Sequence, residues 1–424
     1  MEILLIKIRR YFSTLELTKG FLIALLSSAF IYLNHWDLSY PIINTILGVM
    51  TLYLLLKESQ KVWFFSGIFI GVFWFWWIAL SLKHYGYIWA IPIEILVISL
   101  IYGVLFWVFA WGAEKLSSKL TLPAIFFKAF SLLIFSYIHP FGFDWFKPEL
   151  MFIESYLGIE KWQYALILMA SALSIWKKQL LYLFIILFAY QPPLTTNNVP
   201  SDEIKIVTTY TSVQDKWNEA LHSEQFEHLF KEIDQAIQEG KKLVILPESV
   251  FPLFLNRSET LLEKLEERAK QISIVTGGLY WDGRTPRNST YIFTDNKITV
   301  ANKVILVPFG ESNPLPDFLS NWVNKVFYDG AVDYVASEHV IDYKIDEDIY
   351  RNAICFEATS ERLYEGTPEN MIVLSNNGWF TPSIEPTLQK ILLQYYSKKY
   401  GTTIYHSVNM SASYVIKNGT VIEL

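Results

Sequence analysis

Three side chains, far apart along the chain, could together carry out nucleophilic chemistry: Glu248, Lys303 and Cys355. Cys355, the only cysteine, closes a run in which Tyr350 to Ile354 reads as a short strand entering the core. A thiol where a buried strand opens into a turn is placed to face a pocket. The plainer alternative is a small core filler, since free cysteine is among the most buried residue types. Glu248 follows the apolar run Leu243 to Leu246 and Pro247, just past a predicted parallel strand, where α/β folds gather their active sites. Lys303 is expected to open an apolar strand, Val304 to Val307, with Glu311 in the Pro/Gly-rich loop beyond it. A thiolate is a nucleophile whose pKa falls beside a cation. A carboxylate can take the thiol proton, and an ammonium can stabilise the oxyanion of a tetrahedral intermediate. Each charge alone reads equally as a solvated turn residue; the ordered set is what suggests chemistry.

The elements that must position these residues lie in a chain of two halves. At 424 residues it exceeds one average domain. Hydrophobic residues make up 52% and charged residues 18%, apolar for a soluble protein. The excess sits before Tyr190. There, Val62 to Leu82 and Ile95 to Ala113 are uncharged and long enough to cross a bilayer. Gly20 to Leu33, Pro41 to Leu56, Leu120 to Ile138, Trp162 to Trp176 and Gln179 to Tyr190 are shorter or interrupted candidates. Residues 1–191 are thus expected to form a membrane domain of about seven helices. Met1 to Gly20 has charges but no apolar core followed by small residues, so no cleavable signal peptide is expected. Lys7, Arg9, Arg10 and Lys19 precede the first span, and Lys57, Lys61, Lys115, Lys119, Lys177 and Lys178 fall in alternate loops. The positive-inside rule then puts the N-terminus in the cytoplasm and everything after Tyr190 outside. In a bacterium that means an inner-membrane protein with a periplasmic C-terminal half. A single cysteine suits an oxidising compartment, because it cannot form an internal disulfide. Glu94 could line a lipid path or reach the headgroup level. The aromatic loop from His139 to Glu160 could anchor at the interface or form a lid.

Residues 192–202 read as a polar linker, and 203–424 as a catalytic domain in which strands and helices alternate, an α/β layered pattern. Strands are expected at Ile204 to Thr209, Lys242 to Leu246, Ile272 to Thr276, Tyr291 to Phe293, Val304 to Val307, Tyr350 to Ile354, Met371 to Leu374, Thr403 to Ser407 and Ala412 to Ile416. Helices are expected at Glu224 to Gln238, Ser258 to Gln271 and Thr387 to Lys398. The net charge of −6 and the lack of a basic stripe argue against nucleic-acid binding. His35, His84, His139, His222, His228, His339 and His406 show no ligand spacing, so no metal or other cofactor is implied.

Leu-Pro-Glu at Glu248, Lys303 ahead of Leu-Val-Pro-Phe-Gly-Glu, and Ile-Cys-Phe-Glu at Cys355 resemble the Glu-Lys-Cys triad of the nitrilase (carbon–nitrogen hydrolase) superfamily. With Val-Pro-Phe-Gly-Glu and a block of membrane helices ahead of it, the whole chain resembles the apolipoprotein N-acyltransferase family. That resemblance implies a four-layer α-β-β-α sandwich behind the polytopic helical domain. It also implies roles for Glu311 and Glu357, two acidic positions important in the family. Gln214-Asp-Lys-Trp217 resembles a substrate-loop motif, which makes Trp217 a lipid contact or a membrane anchor. Asn288-Ser289 resembles the family's Tyr-Asn-Ser/Thr element. Leu374-Ser-Asn-Asn-Gly-Trp-Phe380 resembles a segment in which Asn376 and Trp379 border the pocket. Phe356 stands where the family usually has tyrosine, and Asn377 where it has aspartate. Gln394-Tyr-Tyr-Ser-Lys replaces an Arg/Glu pattern. The sequence ends at Leu424, without the family's C-terminal span, and reads as a shortened, divergent branch.

The activity so implied begins with Glu248 deprotonating Cys355. Cys355 takes an acyl chain from a phospholipid ester as a thioester, with Lys303 and a backbone N–H at the oxyanion. The chain then passes to the α-amine of the S-diacylglyceryl cysteine of a lipoprotein. Phospholipid, diacylglyceryl-modified lipoprotein and membrane lipid are the expected partners, and a monomer is the expected state. The same triad would also serve a membrane-tethered amidase in which water discharges Cys355. A silent lipoprotein-binding scaffold is a third reading, against which the intact triad argues.

Overall fold

The computed structural model describes residues 13–192, 202–313 and 334–424. Lys7, Arg9 and Arg10, most of the linker, and the end of the loop beyond Glu311 lie outside the described residues. The chain divides into two compact units, Met1–Pro193 and Leu194–Leu424.

The first unit is helical. A reciprocal cap, in which Glu16 N–H donates to Ser13 Oγ and Ser13 N–H to Glu16 Oε2, starts α1 (Thr14–His35), as expected for Ser-x-x-Glu. Pro41 at the first turn starts α2 (Pro41–Lys57). There follow α3 (Gln60–Phe75), which runs into a 3₁₀ segment Trp76–Lys83, α4 (Ile91–Leu120), α5 (Ala124–Ile134) and α6 (Lys161–Lys177). A 3₁₀ segment, Leu180–Ala189, ends the unit. Among the described residues, four helical stretches are long and apolar enough to cross a membrane: Thr14–His35, Gln60–Lys83, Ile88–Leu120 and Ala124–Gly142. Pro41–Lys57 and Leu180–Ala189 are apolar but shorter.

Where α3 meets α4, glycines let the backbones approach, the usual device of helix pairs in lipid. A Cβ on Gly67 would lie 2.4 Å from the Tyr102 carbonyl oxygen, and one on Gly71 2.8 Å from Ser99 Cα. Most of the aromatic loop turns out to be core, although Phe141 and Tyr156 stay exposed. Trp145, Phe146, Leu150, Met151 and Phe152 are buried, and Phe146 packs edge-on to Trp74 and Tyr102. Neither anchoring nor a lid describes those residues; their apolar surface is satisfied inside the unit. Glu94 lies half-buried in the first turn of α4.

The second unit contains two six-stranded sheets. In the first, β1 (Ile204–Ile206), β2 (Leu243–Ile245) and β4 (Ser273–Trp281) run parallel, and β5 (Pro286–Thr294) and β6 (Lys297–Asn302) continue antiparallel; β3 (Phe251–Phe254) adds to β4. In the second, β8 (Asp348–Ile354), β9 (Asn370–Asn376) and β10 (Thr403–Asn409) run parallel. Antiparallel β7 (Asp342–Ile345) flanks one side, and β11 (Tyr414–Lys417) with β12 (Thr420–Glu423) the other. Leu243, Ile245, Val275 and Ile292 of one sheet pack against Tyr343, Tyr350, Ile372 and Leu374 of the other. On the outer face of the first sheet, α8 (His222–Gln238) buries Phe226, Leu229, Phe230 and Ile233, and α9 (Glu259–Ala269) buries Leu265. On the second sheet, α10 (Glu385–Tyr400) buries Leu388, Ile391, Leu392, Tyr395 and Tyr396. The unit is therefore a four-layer α-β-β-α sandwich, and with the helical first unit it gives the expected fold class. A short helix, α7 (Val213–Lys216), follows β1.

One expected strand is absent. Val304 to Val307 makes no ladder, and Lys303 follows β6 rather than opening a strand. The Val304 and Ile305 N–H groups donate instead to the Glu357 carboxylate, at 2.7 and 3.1 Å. Once a buried carboxylate satisfies those donors, they no longer need a neighbouring strand.

Candidate active site

The parallel strands β2 and β8 deliver Glu248 and Cys355 just beyond their C-terminal ends. Both strand exits turn sharply. Ser249 has φ +49° and Cys355 φ +53°, left-handed conformations that cost a non-glycine residue about 1–2 kcal/mol. Room for the first turn comes from Gly277 on β4, where a Cβ would stand 2.4 Å from Ser249 N and 2.7 Å from Glu248 Cα.

Asn288 on β5 ties the acidic and basic residues together. Its side-chain amide donates to Glu248 Oε1 at 2.8 Å and to Glu311 Oε1 at 2.9 Å, and its carbonyl accepts the Lys303 N–H at 2.9 Å. Lys303, 1% exposed, holds its ammonium 2.7 Å from Glu311 Oε2, an ion pair without the alignment of a hydrogen bond. Glu311 Oε2 also accepts the Val307 N–H at 2.9 Å, which folds the loop back onto the lysine. Glu357, two residues beyond the thiol, accepts from Val304 and Ile305 and, at 2.8 Å, from Ile354 N–H. It therefore clamps the segment after Lys303 to the strand that carries Cys355.

The electrostatics follow from burying many charges together. Burial would lower the Lys303 ammonium, but Glu311 and Glu248 outweigh it and hold the lysine above its ordinary value. Burial and the Glu311 charge raise Glu248, against the pull of Lys303, Asn288 and Lys216. Glu357 is pushed up to about 7, mainly by burial. Cys355 keeps an accessible face, yet its dense surroundings and Glu248 drive the thiol well above its ordinary range, against Lys303. The cation beside it does not produce a resting thiolate. Burial and the neighbouring Glu248 thus oppose a resting thiolate, which suits a thiol that gives up its proton as it attacks.

The structure thus gathers Glu248, Lys303, Cys355, Glu311 and Glu357. Phe356 is buried directly after the thiol. Asn376 ends β9, where its Oδ1 accepts from Asn409 Nδ2 at 2.7 Å and Gly378 N–H at 3.2 Å. Trp379 is half-buried in the 3₁₀ turn that follows. Trp217, 43% exposed, lies at the end of α7.

Three neighbours escaped the sequence reading. Lys216, buried, donates to the Glu248 carbonyl at 3.2 Å; burial lowers its ammonium to about 8, against the charges of Glu248 and Cys355. Glu385, in the first turn of α10, is buried. Gln389, one turn on, places Nε2 3.9 Å from Cys355 Sγ. Lys216 sits inside a motif that drew attention to its tryptophan. The spacing of Glu385 and Gln389, one helical turn apart, was a usable signal that both face the same way.

The chain is similar to known proteins along nearly its whole length. Residues 14–192 match the family model described as the apolipoprotein N-acyltransferase integral membrane domain. The chain is 40% identical over 399 residues to the apolipoprotein N-acyltransferase of Wolinella succinogenes, covering 93% of this chain and 94% of that protein. It is 32% identical over 413 residues to the Helicobacter pylori protein of the same name, covering 94% and 95%. Among solved structures, a CN-hydrolase superfamily protein from Xanthomonas campestris aligns at 15% identity with a TM-score of 0.38, over 52% of this chain and 85% of that one.

Proposed function

The chain belongs to the apolipoprotein N-acyltransferase family, a membrane acyltransferase family, and from that premise we propose that it moves a fatty acyl chain from a phospholipid, through a thioester on Cys355, to the α-amine of a diacylglyceryl-modified lipoprotein. Glu248 takes the Sγ proton as sulfur attacks the ester carbonyl. Lys303 and a backbone N–H beside Cys355 carry the oxyanion. The ester C–O bond breaks, Glu248 returns the proton to the leaving lysophospholipid, and the acyl-enzyme remains. The lipoprotein amine then attacks the thioester, Glu248 accepts a proton, and the amide leaves with the thiol restored.

The observation that carries this reading is the Asn288 bridge. The Asn288 side-chain amide holds the proposed base, Glu248, and the partner of the proposed oxyanion cation, Glu311, while the Asn288 backbone carbonyl accepts the backbone N–H of Lys303. The resting thiol and the raised Glu248 suit a base that works only during attack. Glu311 and Glu357 then position Lys303, and Phe356, Asn376, Trp379 and Trp217 line the route of the acyl chains. Lysines on alternate loops support seven crossings of the bacterial inner membrane, with the catalytic unit periplasmic and acting as a monomer. The test is product stoichiometry. With phospholipid and a diacylated lipopeptide, the wild type should release one lysophospholipid per N-acylated peptide, and Cys355→Ala neither. Free fatty acid in place of N-acylated peptide would instead identify an amidase-like hydrolase.

A further inference from the structure

The first half-reaction leaves part of the site unused. Glu385 and Gln389 lie one turn apart on α10 and so share a face, and Gln389 Nε2 is 3.9 Å from the sulfur. Glu385 Oε2 and Gln389 Oε1 are both buried and have no hydrogen-bond partner among the described residues. Leaving such buried acceptors empty is costly to the fold. Two unfilled acceptor oxygens beside the nucleophile suit a ligand that brings several N–H donors. The ester of a phospholipid brings none, whereas the α-ammonium of the lipoprotein brings three.

Resting on the acyl-enzyme reading above, we propose that Glu385 and Gln389 form the acceptor-amine site, with Glu385 as the base that converts the incoming ammonium into the attacking amine. An N–H bond of the ammonium breaks and its proton goes to the Glu385 carboxylate. The freed nitrogen lone pair attacks the thioester carbonyl. As the C–N bond forms and the C–S bond breaks, Glu248 relays the second amine proton to the departing sulfur. Glu385 then loses its proton to solvent, so one proton is released per amide made. The groups that face Glu385 are Glu248 from the end of β2, Cys355 from the end of β8 and Tyr414 from β11. Burial and then Glu248 push the Glu385 carboxyl up to about 8. A carboxyl raised in this way holds a proton more tightly than an ordinary glutamate, so its carboxylate is the stronger base towards the ammonium. Glu248 alone would have to serve both protons of the amine; Glu385 divides the task.

The test separates the two half-reactions on full-length protein in detergent. Acyl-enzyme is formed from phospholipid, isolated, and discharged with a diacylated lipopeptide or with hydroxylamine, which is largely neutral at pH 7; intact mass reads each step. Glu385→Gln is expected to slow discharge to the lipopeptide far more than it slows loading from phospholipid or discharge to hydroxylamine. Discharge to the lipopeptide should slow by at least about tenfold, the scale of a lost general base. On wild-type protein alone, a lipopeptide with its α-amine replaced by hydrogen should compete at least about tenfold more weakly than the amine. Unchanged lipopeptide discharge, equal slowing with hydroxylamine, loss of loading in Glu385→Gln, or equal competition by the des-amino peptide would each overturn the assignment. If the wild type itself formed no acyl-enzyme, the proposed function would fall and this site with it, an outcome distinct from all the others.

Discussion

In the first unit large apolar side chains face outward, from Leu15 and Leu22 on α1 to Leu187 and Phe188 near its end. Among the described residues of the second unit, exposed large apolar side chains reduce to a few, among them Tyr210, Trp217 and Ile349. Buried polarity differs in kind as well. The first unit buries mostly small hydroxyls that return to their own helix, as Ser27 does to the Ala24 carbonyl and Ser171 to that of Ile167. Two of its buried charges form ion pairs, Lys128 with Glu114 and Glu149 with Lys161. The second unit gathers Lys216, Glu248, Lys303, Glu357 and Glu385 in one place and leaves some of their atoms unfilled. Where lipid is the solvent, every backbone polar group must be satisfied internally, and helices do this within themselves. Where chemistry is done, open polar atoms are held ready, and packing elsewhere must stabilise them.

The sharpest break of this contrast comes from the catalytic charges. Glu248→Gln should lower acyl transfer by about 10²- to 10⁴-fold while the melting temperature stays within a few degrees of wild type. A comparable collapse of stability would make Glu248 a structural residue. Asn288→Ala comes next. Leaving Glu248 and Glu311 without their shared donor at about 1–3 kcal/mol each should slow single-turnover loading by about one to two powers of ten.

Two glycines then set the units side by side. Gly67→Val and Gly277→Ala each force a Cβ into backbone, and each should cost about 1–3 kcal/mol by overpacking. Gly277→Ala should also reduce the loading rate per folded molecule, because its Cβ displaces Glu248. An unchanged rate would show that the turn at Ser249 has slack.

The buried His406 gives a pH-dependent effect. Its Nε2 lies 2.7 Å from Ser375 Oγ, and burial lowers the ring to about 3. Unfolded chain binds a proton below about 6.5 that folded chain refuses, so stability should fall as pH drops from about 6.5 towards 3 and be flat above. His406→Gln should make that acid limb shallower in denaturation curves; an unchanged limb would assign it to other groups. Smallest of all, Leu96→Ala on the outer face of α4 should shift detergent stability by no more than about 0.5 kcal/mol.

The triad was legible because each member sits beside a strand end in a distinctive local run. The layered fold was legible from apolar strands alternating with amphipathic helices. What stayed hidden was long-range. Val304 to Val307 has the composition of a strand, but Glu357, distant in sequence, takes the Val304 and Ile305 donors and Glu311 takes that of Val307. Strands β3, β6, β7 and β12 are short or half-exposed, and little in their own residues distinguishes them from loops. Asn288 stood out as part of a motif, but its hold on three other residues depends on the register of β5 against β4. The depressed thiol expected from a neighbouring lysine ignored the carboxylates and the burial that outweigh it. Gly277 is unremarkable in sequence, and its need is visible only against Glu248.

The most direct test of the account is the intact mass of the purified protein after incubation with phospholipid alone, wild type beside Cys355→Ala. A single fatty-acyl increment on the wild type, absent from Cys355→Ala, is the expected result. An increment on both proteins, or on neither when turnover to free fatty acid is also absent, would contradict a thioester on Cys355.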